Sequence, residues 1–218
     1  MIVMPANNRG IVAGWLAGRF PGFVGHLYSP GGISSLYDFI PFALDNGRFS
    51  VWAAGKEWDE SAFVGMLDRV SGSGPGKAPR WVLVPDLVGD RDGTLREWDR
   101  WCVRIQGYGW PLAFAVQDGM TPDDVPAEAD VVFVGGSTDW KRRTIRLWCE
   151  SFERVHVGRI NTDKWLWECA EAGAESCDGT GWMRGDQRQL AGLVTFLERN
   201  AKGWGNPRGG QLFAGRDA

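Results

Sequence analysis

The sequence predicts an α/β chain closed as a small, partly irregular (β/α)8 barrel, and three observations carry that prediction. Eight short apolar runs rich in Val, Ile and Phe recur along the 218 residues, each ending in turn-forming or polar residues. Amphipathic helical patterns fill the gaps between the later runs. Polar residues collect at the C-terminal ends of the runs. Uniformly apolar runs of this length suit strands buried on both faces of a parallel sheet, and strand–helix alternation through short links builds right-handed crossovers. Eight candidates favour closure into a barrel, with a doubly wound open sheet as the alternative.

Taken in order, the strand candidates are IVMP (2–5), FVGHLYS (23–29), FIPFALDN (39–46), WVLVPD (81–86), LAFAVQDG (112–119), VVFVGG (131–136), VHVGRIN (155–161) and ESCDG (175–179). Leu95, Trp98, Cys102 and Ile105 form an apolar stripe at helical spacing. Residues 139–152 repeat it with Trp140, Trp148 and Phe152, after Ser137 or Thr138 as the N-cap. A further helix starts near Thr162, carries Trp165, Leu166 and Cys169, and stops at Gly173, where a left-handed cap is expected. Leu190, Leu193, Val194 and Leu197 mark the last helix. The first third is less regular, with little room for a helix between 29 and 39. Residues 71–77 (SGSGPGK) read as a flexible loop and 202–218 as a flexible tail, so that 1–201 form one barrel domain.

A 44% hydrophobic and 12% aromatic composition supplies a full core and argues against extended disorder. The formal charge of −3 excludes a general attraction to polyanions. Locally, residues 135–165 hold seven Lys/Arg against four Asp/Glu, and Lys141, Arg142, Arg143 and Arg146 form either a phosphate-docking patch or a solvated helix face. Most of the thirteen Trp belong in the core; Trp140 and Trp182 are candidates for stacking on a base. The four cysteines (102, 149, 169 and 177) form no close pair. No run suits a signal peptide or a membrane span, and the expectation is a reduced, cytoplasmic protein without a membrane partner. Cys149, His156, Cys169 and Cys177 fit no zinc framework, so no metal is expected.

The polar residues that follow the apolar runs are Asp45, Asp86, Gln117, Gly135–Gly136 and Asp178. In a (β/α)8 barrel these strand ends share the face that carries the active site. The same residue types also serve ordinary turns and caps, which is the role assigned to Asp90, Asp92 and Asp118. For Asp178, the surrounding ESCDGTGW allows a turn, a metal corner or a reactive site. Five strand ends agreeing is harder to obtain from turns alone. Neither GDRDGT nor GSGPGK has the spacing of a phosphate-binding Walker loop, and His26 and His156 lack partners at ligand spacing. Paired carboxylates without metal point to glycosyl chemistry, one attacking an anomeric carbon and the other handling the proton. Asp86, Gln117 and the glycine amides suit the hydrogen-bonding edge of a purine.

ALDNGRFS, VPDLVGD, FAVQDGM, VFVGGSTDWK, HVGRINT and GAESCDGTGW, in this order between about residues 39 and 200, resemble the tRNA-guanine transglycosylase superfamily. The nearer likeness is to its phage-type branch, the DNA 7-deazaguanine transglycosylases. The resemblance implies a (β/α)8 barrel that exchanges guanine in DNA for a free 7-deazaguanine base such as 7-cyano-7-deazaguanine (preQ0), without a cofactor. It further implies protection of phage DNA from restriction, in the host cytoplasm. By motif, Asp178 is the implied nucleophile and Asp45 the general acid/base. Asp86 takes the Watson–Crick edge, Gln117, Gly135 and Gly136 surround the base carbonyl, and His156 and Gly158 wall the base pocket. Lys141, Arg142, Arg143, Arg146 and Arg159 are the expected nucleic-acid contacts. Two departures stand out. The Cys-x-Cys-x-x-Cys zinc subdomain of the tRNA enzymes is absent from the sequence, and VGGSTDW replaces the family's Gly-Leu-Ala-Val-Gly run. The first favours DNA over tRNA. A tRNA-type enzyme and a non-catalytic nucleic-acid-binding paralogue are the alternatives.

Overall fold

Strands apolar on both faces need cover on both, and here a barrel interior supplies one face and a helical jacket the other. The computed structural model describes residues 1–6, 11–33, 36–37, 39–74, 76–183 and 187–203. In chain order the elements are β1 (Ile2–Pro5), α1 (Ile11–Arg19), β2 (His26–Tyr28), β3 (Phe42–Leu44), α2 (Arg48–Ala53), α3 (Glu60–Ser71), β4 (Val82–Leu83), α4 (Arg91–Gln106), β5 (Leu112–Val116), β6 (Val131–Val134), α5 (Thr138–Ser151), β7 (Val155–Val157), α6 (Asp163–Ala172), β8 (Ser176–Gly179) and α7 (Gln187–Ala201). The sheet order is β1-β8-β7-β6-β5-β4-β3-β2, with every pairing parallel. Bridges Val3–Val24 and Ala6–Leu27 close the seam between β1 and β2. There Val3 N–H donates to Phe23 O and Gly25 N–H to Val3 O, both at 2.9 Å. The result is a (β/α)8 TIM-type barrel.

The two-residue period of the strands sorts side chains into two cores. Ile2, Met4, Leu27, Ala43, Trp81, Leu83, Ala113, Ala115, Val131 and Phe133 pack together in the barrel interior. Their neighbours in sequence, such as Val3, Leu44, Val82, Phe114, Val132 and Cys177, pack outward against the helices. The caps follow the sequence expectations. Ser137 accepts from Trp140 N–H and Thr162 from Trp165 N–H, both at 3.4 Å, and Gly173 closes α6 at φ 95°. Asp90 caps α4 through Gly93 N–H at 2.8 Å. Among the described residues no helix is long and apolar enough to cross a membrane.

The jacket departs from the sequence reading at several places. Three helices in the first third, α1 to α3, were not expected. Helix α1 (IVAGWLAGR) is apolar on most sides and interrupted by glycines, so no stripe marks it; Ile11 and Trp15 remain exposed. Helix α2 has no buried residue to betray a core face. Helix α3 does carry a legible stripe, Phe63, Met66, Leu67 and Val70 behind the Asp59 cap, and runs into the start of the expected 71–77 loop. Between β5 and β6 the helix is replaced by a 3₁₀ turn at Pro122–Asp124. No helix lies between β2 and β3 among the described residues. Residues 204–218 of the expected tail lie outside the described residues.

At the opposite end from the site, Glu175 ties three strand entrances together. It accepts from Arg154 Nε at 2.9 Å and Nη2 at 3.2 Å, and from Arg80. Burial alone would raise its carboxyl, but the hydrogen bonds and charges of Arg154 and Arg80 prevail and hold it below the ordinary range. A depressed carboxyl stabilises the fold above its unfolded value and stops doing so as pH falls through its folded value. Glu175→Gln should therefore cost about 2 kcal/mol near neutral pH in urea titrations. That lies below the ~3–5 kcal/mol of a fully enclosed pair because both arginines are partly exposed. The gap from wild type should narrow as the titrations are repeated toward about pH 3.

Candidate active site

The period that buries Ala43, Ala115 and Ser176 inside the barrel carries Asp45, Gln117 and Asp178, two residues further on, to the rim of the same interior. A cavity of about 750 Å³ opens there. It is lined by Asp45, Asp86, Gln117, Gly135, Gly136 and Asp178, all from the strand ends that the sequence singled out, and by Arg159. Leu83, Ala115 and Phe133 form its apolar floor.

Asp86 is held by two amides. Asn46 Nδ2 donates to Oδ1 at 2.8 Å and Gln117 Nε2 to Oδ2 at 2.7 Å. Each amide is oriented at its other end: Arg48 N–H donates to Asn46 Oδ1 at 2.8 Å, and Gly89 N–H to Gln117 Oε1 at 2.9 Å. Both Asp86 oxygens thus accept one bond and keep a lone pair toward the cavity, an arrangement that suits an N–H-rich edge of a planar ligand. Burial raises the Asp86 carboxyl; the Asn46 and Gln117 hydrogen bonds oppose it. Asn46 was missed because Asp-Asn-Gly reads first as a turn.

Asp178 has a different environment. His156 Nε2 lies 3.2 Å from Oδ2, and Arg159 N–H donates to Oδ1 at 3.2 Å. Directly after it, a Cβ at Gly179 would sit 1.9 Å from Ile160 O, so only glycine lets β8 end this close to the β7 loop. Of the three readings of ESCDGTGW, turn and cavity-facing carboxylate hold together, and the cysteine points away into the outer core. Among the described residues no three His, Cys, Asp or Glu side chains gather as metal ligands.

Asp45 accepts from Gly47 N–H at 2.7 Å. Burial, with the charges of Asp178 and Asp86 nearby, outweighs that bond and lifts its carboxyl to about 7. A group poised there can give and take a proton near neutrality.

Arg159 is the strained member of the site. Its φ of 61° puts a non-glycine residue in the left-handed region, at a cost of about 1 kcal/mol. That turn aims its N–H at Asp178 while its guanidinium donates to Gly136 O and lies over the Phe49 ring, 4.2 Å from the centroid. Gly136 itself needs φ 64°, and a Cβ there would meet Asp118 Oδ1 at 2.4 Å. Asp118 keeps the structural role expected of it, accepting from Ser137 N–H and Oγ–H at 2.5 Å each.

Several expectations are corrected. Lys141 is buried, 1% exposed, and donates to Gly158 O; its ammonium cannot reach a phosphate, because the helical stripe turns it inward rather than to solvent. Burial and the Arg159 charge lower it to about 8. Trp140 and Trp182 are core residues, 7% and 1% exposed, and offer no stacking face. His156 and Gly158 are not among the residues lining the cavity: His156 is on the inward face of β7 but level with Ser176, one layer beneath the rim, where it is fully enclosed behind Asp178. Arg142, Arg143 and Arg146 are exposed on α5, with Arg142 over Trp165 and 3.5 Å from Glu168. The exposed aromatics at the cavity are Phe49 and Trp52 on α2, with ring centroids 5.7 Å apart. No periodic signal in so short a helix marked them.

Neither a family model nor a curated protein matches the sequence. A solved structure described as "Native KDPGal structure" is similar at a TM-score of 0.52 and 14% identity, over 93% of this chain and 95% of that one. At that identity the likeness concerns the barrel alone.

Because the folded carboxyl of Asp45 is raised, the folded state binds the extra proton between about pH 4 and about pH 7, and stability falls as pH rises through that window. Asp45→Asn removes the ionisation. Its Tm should exceed wild type by about 3 °C or more near pH 8 and converge on it near pH 4, as read by calorimetry.

Proposed function

We propose that the chain is a pentosyltransferase that exchanges guanine in DNA for a free 7-deazaguanine base, 7-cyano-7-deazaguanine (preQ0) being the best-suited candidate. The observation that carries this reading is three aspartates at one cavity in three different states of support. Asp178 is backed by a histidine and a backbone N–H, Asp45 sits near neutrality, and Asp86 is locked between two amides. Nucleophile, proton carrier and base reader require this division.

In the proposed reaction, an Asp178 oxygen bonds to the sugar C1′ as the C1′–N9 bond breaks. Guanine leaves with the electron pair and takes the proton of Asp45. The incoming base then yields its N9 proton to Asp45 and attacks C1′, and Asp178 departs as carboxylate. Two inversions restore the β-configuration. One N-glycosidic bond replaces another, so no nucleotide energy source enters. Asp86 meets the N1–H and exocyclic N–H edge of either base, and Gln117 with the Gly135–Gly136 backbone surrounds the carbonyl. The Arg159 guanidinium on the wall disfavours a cationic substituent and favours a neutral nitrile. The target nucleotide has to leave the stack, at a cost of a few kcal/mol. Phe49 and Trp52 at the mouth and the exposed Arg142, Arg143 and Arg146 suit the approach of a polynucleotide. Protection of phage DNA from restriction is the biological role we attach to this chemistry.

The test is incubation of the purified chain with labelled 7-cyano-7-deazaguanine and either DNA or tRNA, followed by digestion to nucleosides. Label in deoxynucleosides is expected. Label only in ribonucleosides would move the substrate to RNA, and label in neither would overturn the reading. Asp178→Asn should lower exchange by about three orders of magnitude or more and abolish the denaturant-resistant DNA adduct, whereas retained exchange would remove Asp178 from the nucleophile's role.

A further inference from the structure

The chemistry above leaves one buried polar chain unused. Parallel register sets His156 of β7 directly across from Ser176 of β8, and Asp178, two residues on, shares the inward face with Ser176. His156 and Ser176 are both 0% exposed. His156 Nδ1 lies 2.8 Å from Ser176 Oγ, and Nε2 lies 3.2 Å from Asp178 Oδ2. The imidazole is clamped, stacked on Phe133 at 4.9 Å and 25° and edge-on to Trp81 at 4.7 Å. It has no room to turn over.

Hydrogen-bond valence then decides the tautomer. Ser176 Oγ–H has one acceptor among the described residues, His156 Nδ1, and a buried hydroxyl without an acceptor is strongly disfavoured. The hydroxyl therefore donates to Nδ1, the ring proton sits on Nε2, and Nε2–H points at Asp178 Oδ2. With Arg159 N–H on Oδ1, both carboxylate oxygens are fixed by donors while each keeps a lone pair.

We propose that Ser176 and His156 are positioning residues forming a relay of fixed polarity, Ser176 Oγ–H to His156 Nδ1 and His156 Nε2–H to Asp178 Oδ2. The relay aims the carboxylate at C1′ and stabilises the negative charge that returns to it when the glycosyl ester breaks. This rests on the transglycosylase reading for its consequence, though not for its geometry. No proton travels along the relay: in ester cleavage the electron pair of the C1′–O bond returns to Asp178, and the proton of the incoming base goes to Asp45. The donor at Oδ2 acts on the departing carboxylate as an oxyanion donor does, strengthening as charge develops.

Two measurements separate the relay from the function on which it acts. The sequence holds only two histidines, so ¹⁵N-histidine labelling with a His26→Gln variant for assignment reads the His156 tautomer directly. The Nε2–H form is expected in wild type and a mixture with the Nδ1–H form in Ser176→Ala. An Nδ1–H form or an imidazolium in wild type at about pH 7.5 would overturn the relay, whatever the chain's activity. In exchange assays, His156→Leu should lower kcat by about a hundredfold or more and Ser176→Ala by about tenfold. KM for DNA should stay unchanged, and His156→Gln, which keeps an N–H donor, should recover part of the loss. A Ser176→Ala kcat equal to wild type, or a loss seen only in KM, would count against the proposal. Wild-type chain that exchanges no base would sink the transglycosylase reading, and the tautomer alone would then decide the relay.

Discussion

Three carboxylates cannot share a half-buried rim as bare anions, and the organisation of the C-terminal face follows from how each one is accommodated. Asp45 is lifted toward neutrality by burial and by its two neighbours. Asp86 accepts from two side-chain amides, each anchored at its far end by a backbone N–H. Asp178 is enclosed between an imidazole and a backbone N–H. The three solutions are different because the strands that deliver them end against different neighbours. That difference is what separates their chemistry.

Cationic charge near the site is handled with the same economy. Arg159 accepts a left-handed backbone so that one residue can serve Asp178, the Gly136 carbonyl and the Phe49 face. Behind it, Lys141 is enclosed against Gly158 O and within 5.8 Å of the Trp165 ring centroid. Both groups are lowered from their ordinary values, chiefly by burial, and the field of Asp178 opposes that shift in each case. The positive charge is thus structural at this point of the rim, whereas Arg142, Arg143 and Arg146 of α5 are exposed.

The rest of the molecule frames this rim. Trp81, with Phe133, fills the barrel directly beneath the site and grips His156. Trp98, Trp101, Trp140, Trp148, Trp165 and Trp182 belong to the outer core between strands and helices. The heavy tryptophan load is therefore largely packing, wide rings spanning the gap between short strands and their helices. Trp15 on α1 and Trp52 on α2 are exposed instead, and Trp52, on a helix without a single buried residue, faces solvent at the cavity.

What the sequence determined by itself was whatever local pattern dictates. The apolar runs specified eight parallel strands, their C-terminal polar residues specified Asp45, Asp86, Gln117, Gly135–Gly136 and Asp178 as one face, and Ser137, Thr162 and Gly173 marked helix ends through cap chemistry confined to a few neighbouring residues. Helices α1 and α2 escaped because a short helix apolar on most sides, or one that buries nothing, leaves no periodic stripe. Tertiary structure alone decided which way individual side chains face and which distant residues meet. Lys141 and His156 look from sequence like surface and pocket residues. Lys141 falls on the buried stripe of α5 with Ile145, Trp148 and Cys149, and His156 sits on the inward face of β7 one layer beneath the rim, behind Asp178. The pairing of His156 with Ser176 and the gathering of Asn46, Asp86 and Gln117 from three strand ends depend on the parallel pairing of β7 with β8 and of β3, β4 and β5, a long-range constraint that no window of sequence contains.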